Sequence, residues 1–311
     1  MRGVFLDTLT MNLEELDTSG LNNVVEYWDF FETTAPEETA ERIENADVVI
    51  TNKVVLDRNL IEGAPKLKLI CVCATGTNNI DLDTAQERDI PVKNVAGYTG
   101  TSLAQHSIAL LLALATRWHQ YSEDVNNGRW SQSPVFCRLD YPVMELAGKT
   151  LGIIGYGDLG QKVARLGEAL GMRVLVAASF TGEQKAGRVP LEQLLAESDV
   201  ISLHCPLTAE TEMLVDQQFL SAMKPSAFLI NTARGGLVDE AALVAALKSG
   251  AIGGAALDVV SVEPPPADHP LLAGAIPNLI ITPHNAWISR ESRQRLLDGV
   301  IRNIAATFDA R

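Results

Sequence analysis

The sequence predicts an α/β protein made of two doubly wound parallel sheets with a cleft between them. Short apolar runs alternate with amphipathic segments along most of the chain, and this alternation restarts at Lys149 after one long apolar helix and a loop-like stretch. Strands alternating with helical patterns imply βαβ units and parallel sheets. The 311 residues are 47% hydrophobic and 21% charged, which suffices to bury a large core and fits two domains or one large α/β domain.

In the first half, strands are expected at Gly3–Asp7, Val24–Trp28, Asp47–Thr51, Leu67–Ala74 and Pro91–Val95, with helices at Pro36–Asn45 and Asp81–Arg88 among the segments between them. A strongly apolar helix then covers Ser102–Tyr121, followed by the irregular stretch Asn126–Tyr141 with Trp130 and Phe136. Long irregular segments inside compact proteins tend to be functional or to form interfaces. Helix and arm together therefore read either as a dimer contact or as a linking helix with a surface loop. Beyond Lys149, strands are expected at Thr150–Gly155, Arg173–Ala177, Val200–His204, Ala227–Thr232, Gly254–Val259 and Leu279–Thr282. Helices fall at Leu159–Leu170, Leu191–Glu197, Asp216–Ala222 and Glu240–Ser249, and the chain closes on an amphipathic helix over Arg290–Phe308.

The composition narrows the function. Thirty-nine acidic side chains against 25 basic ones give a formal charge of −14, which argues against a nucleic-acid footprint of clustered Lys and Arg. The apolar run Ser107–Ala115 is well short of the roughly 18 residues of a membrane span. No basic-then-apolar leader opens the chain, so a cytoplasmic protein is expected. Cys71, Cys73, Cys137 and Cys205 show neither a C-x-x-C pair nor a disulfide spacing, and Cys71 and Cys73, two apart in an apolar run, read as buried thiols rather than metal ligands.

The run Leu151–Gly155 leads into Gly155-x-Gly157-x-x-Gly160 and then a helix, the strand–turn–helix context that a dinucleotide fingerprint requires. Gly155 would make the tight turn, Gly157 would admit the pyrophosphate, and Gly160 would let helix and strand pack closely. The helix N-terminus offers unpaired N–H groups and a partial positive charge to phosphate. The acid that normally holds the adenosine ribose is expected at position 178, where this chain has Ala178. Its absence admits NADP beside NAD, with Ser179, Thr181, Lys185 and Arg188 near enough in sequence to meet a 2′-phosphate.

Polar residues follow three later apolar strands, at the strand ends where open α/β sheets bind ligands. Arg234, in Asn231-Thr232-Ala233-Arg234-Gly235-Gly236, has a planar fork suited to a carboxylate. The segment Asp258 to Glu263-Pro264 and the segment Thr282-Pro283-His284-Asn285-Ala286-Trp287 supply carboxylates and a histidine. A histidine with a carboxylate partner makes a general acid, although spacing alone does not pair Glu263 with His284. His106, His119, His204 and His269 are given no catalytic role.

Over nearly its whole length the chain resembles the D-isomer-specific 2-hydroxyacid dehydrogenases. The resemblance is carried by Ala74-Thr75-Gly76-Thr77-Asn78, Asn94-Val95-Ala96-Gly97-Tyr98, the glycine fingerprint, His204-Cys205-Pro206-Leu207-Thr208, Asn231–Gly236, Asp258 with Glu263-Pro264, and Pro283-His284. The ending His284-Asn285-Ala286-Trp287 and the segment Asn94–Tyr98 look most like the glycerate dehydrogenase, or hydroxypyruvate reductase, branch. The resemblance implies a flavodoxin-like substrate domain, residues 1–98 with 288–311, into which a Rossmann NAD(P)-binding domain, residues 99–287, is inserted, with hinges near 98–102 and 285–290. It implies that His284 is the general acid, that Glu263 holds it, and that Arg234 binds the 2-oxo acid. Backbone amides of Thr75 and Gly76 would take the substrate carboxylate. Asp158 and Leu159 would meet the pyrophosphate, Asp258 the nicotinamide end, and Pro206, Thr232 and Ala233 would line the cofactor. Tyr98 and Trp287 either wall the substrate pocket or are core aromatics.

The expected activity is NAD(P)-dependent reduction of a small 2-oxo acid, hydroxypyruvate to D-glycerate or glyoxylate to glycolate, by a homodimer. The alternatives are another D-2-hydroxyacid dehydrogenase, such as a D-lactate dehydrogenase, and a non-catalytic NAD(H)-sensing module like the corepressors that share the fold.

Overall fold

A computed structural model describes residues 1–180, 186–274 and 276–309. The chain divides into two compact units, Met1–Thr99 with Trp287–Arg311, and Gly100–Ala286. Trp287 goes with the first unit, not the second where the expected boundary put it. Its ring packs edge-on against Tyr98 at 6.3 Å, on the core of that unit.

The first unit runs β1 (Arg2–Phe5), α1 (Leu21–Val24), β2 (Tyr27–Phe30), α2 (Pro36–Ile43), β3 (Val48–Thr51), α3 (Arg58–Glu62), β4 (Leu69–Val72), α4 (Leu82–Glu87) and β5 (Val92–Asn94). Its strands pair in the parallel order β2-β1-β3-β4-β5. Every position of β3 and β4 is buried, as befits parallel strands covered on both faces. One expectation fails here. The strand expected at Val24–Trp28 begins only at Tyr27, because Leu21–Val24 form a helical turn and Val25 plugs the core instead of joining the ladder. The β-branched pair Val24-Val25 mimics a strand start, but both residues are used for packing.

Aspartates set the starts of several helices. Asp57 and Asp81 accept the amides of Leu60 and Thr84 in this unit, and Asp216 and Asp239 do the same for two helices of the second. The terminal helix, whose range is given below, brings Arg293 onto the carbonyls of Met11 and Asn12, and Gly299 lets it lie close on Val95.

The second unit runs α5 (Gly100–Thr116), α6 (Trp118–Asn126), β6 (Thr150–Ile154), α7 (Asp158–Ala169), β7 (Arg173–Val176), α8 (Leu191–Glu197), β8 (Val200–Leu203), α9 (Gln217–Ala222), β9 (Phe228–Asn231), α10 (Glu240–Ser249), β10 (Gly254–Leu257) and β11 (Leu279–Ile281); the closing helix of the first unit is α11 (Arg290–Asp309). The parallel order is β7-β6-β8-β9-β10-β11, with a single-residue bridge from Ala177 to Val189 outside β7. The order reverses between β6 and β8, the place where such sheets bind dinucleotides.

The helix expected over Ser102–Tyr121 is broken. Arg117 takes a left-handed conformation (φ 57°) and separates α5 from α6, its guanidinium 5.7 Å from the Phe228 ring. Leu111 and Leu114 of α5 are fully buried in a cluster with Leu151, Ile153, Phe228 and Ile230. Truncating either to alanine is expected to cost about 2–5 kcal/mol. This packing fixes α5 across the sheet and so aims its first turns at the strand ends.

Candidate active site

The fingerprint glycines divide into two kinds. A Cβ on Gly155 (φ 94°) would lie 2.3 Å from the Cys205 nitrogen, and one on Gly160 would lie 2.1 Å from the Gly155 carbonyl oxygen, so both positions require glycine for packing. A Cβ on Gly157 would meet nothing within 4 Å. The open side of the turn therefore lies at the middle glycine, beside the first turn of α7. Asp158, Leu159 and Gly160 stand in that turn, where amides have no intrahelical acceptor. The residues present fit a pyrophosphate.

At the end of β7, Ala178 is half-buried and donates its amide to the Val189 carbonyl at 2.8 Å. This bridge brings the neighbouring Arg188 to the same strand end, where it forms no ion pair among the described residues. Ser179 adjoins Ala178, whereas Thr181 and Lys185 lie outside the described residues.

Pro206 is exposed just past β8. Two residues before it, His204 is half-buried, and desolvation of its enclosed ring pushes the pKa down to about 4, so the ring is neutral; Nε2 lies 2.9 Å from Ser202 Oγ and Nδ1 has no partner among the described residues.

Three adjacent strands carry the remaining candidates. Asn231, Leu257 and Ile281 stand level in β9, β10 and β11. Strands pack at about 4.8 Å, so the ends of β9 and β11 are roughly 10 Å apart. Arg234, Asp258 and His284 all follow these ends. The buried Asn231 side chain shapes the loop after β9: Nδ2 donates to the Arg234 carbonyl at 2.8 Å and Oδ1 accepts the Ala233 amide at 3.0 Å. Arg234 is exposed, donates to the Ala233 carbonyl at 2.7 Å and has no carboxylate partner among the described residues. Thr232 is buried, with its hydroxyl 2.8 Å from Ser107 Oγ of α5.

His284 and Glu263, separated by 21 residues, meet directly. His284 Nδ1 is 2.5 Å from Glu263 Oε2, and Glu263 Oε1 accepts the Val260 amide at 3.0 Å. His284 itself has a left-handed backbone, with φ 52°. Its amide donates to the carbonyls of Asp258 and Thr282.

Asp258 is 1% exposed yet carries charge. Burial opposes its ionisation, but hydrogen bonds from His106, Thr282 and the amides of Ala286 and Asn285 outweigh burial and hold its pKa below the usual carboxylate range. Asp258 therefore fixes the turn that bears His284.

The sequence reading missed several parts of this arrangement. Glu240 accepts the amide and hydroxyl of Ser261 at 2.7 and 2.8 Å and pairs with the buried His269 at 3.0 Å, so it braces the loop that carries Glu263. His106 and Ser107 interrupt an otherwise apolar helix, and that interruption was the available signal. In the first unit, the amides of Thr75 and Gly76 donate to no acceptor among the described residues, and the Thr75 carbonyl accepts from Asn94. A groove of about 740 Å³ at the ends of β1, β2 and β3 contains none of the candidate residues.

Residues 108–286 match the NAD-binding domain of the D-isomer-specific 2-hydroxyacid dehydrogenases. The chain is 45% identical over 305 residues to a glycerate dehydrogenase of Methylorubrum extorquens, covering 97% of this chain and 95% of that one. It is 41% identical to a hydroxypyruvate reductase of Blautia hydrogenotrophica, covering 98% and 96%. Its fold matches the crystal structure of the TT0316 protein from Thermus thermophilus with a TM-score of 0.87 at 35% identity, covering 100% and 98%. By sequence and fold together, the chain belongs to the D-isomer-specific 2-hydroxyacid dehydrogenase family and is an oxidoreductase with an NAD-binding Rossmann domain.

Proposed function

We propose that this oxidoreductase reduces a small 2-oxo acid, hydroxypyruvate to D-glycerate in the first place and glyoxylate to glycolate in the second. The observation that carries the reading is the His284–Glu263 pair two strands from an exposed guanidinium, Arg234, that forms no ion pair among the described residues. A histidine that holds a carboxylate through Nδ1 presents Nε2 as its other proton-bearing atom. Glu263 thus orients the ring and stabilises the imidazolium.

Arg234 would hold the substrate carboxylate with one arm of its fork and polarise the carbonyl oxygen with the other. The amides of Thr75 and Gly76 would take the remaining carboxylate oxygen. The proton on His284 Nε2 would pass to the carbonyl oxygen, while the Nδ1 proton stays hydrogen-bonded to Glu263. When bound, the nicotinamide supplies the hydride that reaches C2. Gly155, Gly157, Asp158, Leu159 and Gly160 would hold its pyrophosphate, with Ser179 and Pro206 toward the adenosine. Thr232, Ala233, Arg234, Asp258 and His284 would border the nicotinamide end.

The cofactor would be NAD or NADP, because Ala178 offers no carboxylate to repel a 2′-phosphate and Arg188 beside it forms no ion pair among the described residues. The protein would work as a cytoplasmic homodimer. Trp130, Val135, Phe136 and Leu139 support the dimer: all are exposed, Phe136 to 90%, and all sit in the irregular arm. Cys71, Cys73, Cys137 and Cys205 are free, which fits a reducing compartment.

Initial-rate oxidation of NADH and of NADPH, with hydroxypyruvate, glyoxylate and pyruvate in turn, tests the reading. The highest kcat/KM is expected with hydroxypyruvate. A protein that binds nicotinamide cofactor but turns over none of these acids would refute it.

A further inference from the structure

We infer that His106, on the first turns of α5, is a positioning residue for proton transfer, acting through Thr282 and Asp258 on the turn that carries His284. The inference rests on His284 being the proton donor.

His106 Nε2 lies 3.0 Å from Thr282 Oγ1 and 3.4 Å from Asp258 Oδ1. The Thr282 hydroxyl donates its one hydrogen to Asp258 Oδ1 at 2.5 Å. Only lone pairs remain on that oxygen, so the contact with His106 requires the hydrogen to sit on Nε2. Direction is therefore fixed along the chain from His106 to Thr282 to Asp258. Asp258 then spends both carboxylate oxygens on the backbone next to the acid: Oδ1 takes the Asn285 amide at 3.0 Å and Oδ2 takes the Ala286 amide at 2.9 Å. Its carbonyl takes the His284 amide at 2.8 Å.

This anchoring matters because His284 sits at φ 52°, where residues with a Cβ persist only if the surroundings over-determine them. The same anchor reaches Arg234. The Asp258 amide donates to the Asn231 carbonyl at 2.8 Å, and the Asn231 side chain folds the Arg234 loop. Along α5, Ser102 Oγ donates to the Ala286 carbonyl at 2.8 Å, and Ser107 contacts Thr232. One helix edge thus gauges the ends of β9, β10 and β11. His106 is its only member that reaches the carboxylate holding the acid's turn, among the described residues.

The experiment compares His106→Leu, His106→Gln, Thr282→Val and the double variant His106→Leu with Thr282→Val. Steady-state kinetics with hydroxypyruvate and thermal unfolding are measured for each, with His284→Ala as control. Leucine removes the donor, while glutamine returns an N–H at the same reach. His106→Leu is expected to lower kcat about 10- to 100-fold, with the KM for NADH and the unfolding midpoint nearly unchanged. His106→Gln should recover most of that loss. Thr282→Val interrupts the same relay, so the double variant should be no slower than the slower single one. Wild-type kcat in His106→Leu overturns the inference. So does a glutamine variant as slow as the leucine one, or a double variant whose losses multiply. If His284→Ala keeps wild-type turnover, the acid assignment itself has failed, and that failure is distinguishable from the others.

Discussion

Replacing Glu263 by glutamine tests the proposed acid with the least change in shape. Glu263 uses both oxygens as acceptors, one for His284 Nδ1 at 2.5 Å and one for the Val260 amide at 3.0 Å. Glutamine keeps one oxygen and substitutes an NH2 for the other, so one of these donors faces another donor. A charge-assisted hydrogen bond contributes about 1.5–3 kcal/mol net. Both side chains are 33% exposed, so water screens the pair and the lower part of that range applies. A loss of about 1.5–2 kcal/mol of transition-state stabilisation slows turnover about 10- to 30-fold. The loss should fall on kcat, because the imidazolium is needed for proton transfer rather than for substrate capture. Saturating hydroxypyruvate and NADH in a stopped-time or continuous assay give kcat directly. Glu263→Ala should be slower still, since no acceptor remains. A glutamine variant with wild-type kcat would show that the carboxylate does not support the acid, and the reasoning would fall.

Arg234→Ala should raise the KM for the oxo acid by one to two orders of magnitude with a smaller fall in kcat, and Arg234→Lys should recover little, because a point charge lacks the two-pronged geometry; equal KM values in all three proteins would remove Arg234 from substrate binding. Ala178→Asp should raise the KM for NADPH much more than that for NADH, since the new carboxylate would face a 2′-phosphate; parallel changes for the two cofactors would place the ribose elsewhere. His204 gives a stability prediction. Its pKa in the folded state lies near 4, below the 6.5 of a free imidazole, so the unfolded chain takes up a proton first and stability is lost as pH falls from 6.5 toward 4. That gap amounts to about 3 kcal/mol at most. His204→Gln should flatten this part of the urea-midpoint profile between pH 7 and 4, and an unchanged slope would mean that the ring is not buried neutral.

Much of the fold was legible because its signals are local. Runs such as Val48–Thr51, apolar up to its closing threonine, and the wholly apolar Leu69–Val72 read as buried parallel strands, and that is how they fold. The sequence misreads where one residue type serves two purposes. Val24 and Val25 suit a strand by propensity but pack the core from a helical turn. Arg117 has good helix propensity, yet it breaks the long helix by taking a left-handed conformation. In the candidate site, residue identities at strand ends were readable, whereas pairings across the chain were not. Nothing in the spacing joins His284 to Glu263 or His106 to Asp258, separated by 21 and 152 positions, until β10 and β11 are laid side by side and α5 is packed on the sheet. Glu240, Ser261 and His269 were silent because they act on a loop that the sequence does not show to be braced.

Charge explains why such a site needs so much internal pairing. The chain carries a formal charge of −14, so an anionic oxo acid meets a repulsive protein at long range. At physiological ionic strength that field decays over about 8 Å, and capture depends on the local groups. Arg234 supplies a positive charge that no carboxylate of the described chain cancels. Asp258 follows the neighbouring strand and is ionised, and an exposed carboxylate there would oppose the substrate. Instead it is buried and surrounded by donors: two backbone amides, the Thr282 hydroxyl and His106. Those donors consume its acceptor capacity and direct its charge into the turn that holds His284. The arrangement lets one acid organise the backbone of the proposed proton donor while the guanidinium on the adjoining loop, proposed to take the incoming carboxylate, stays free of carboxylate partners among the described residues, which is why removing a donor to Asp258 should disturb catalysis more than substrate binding.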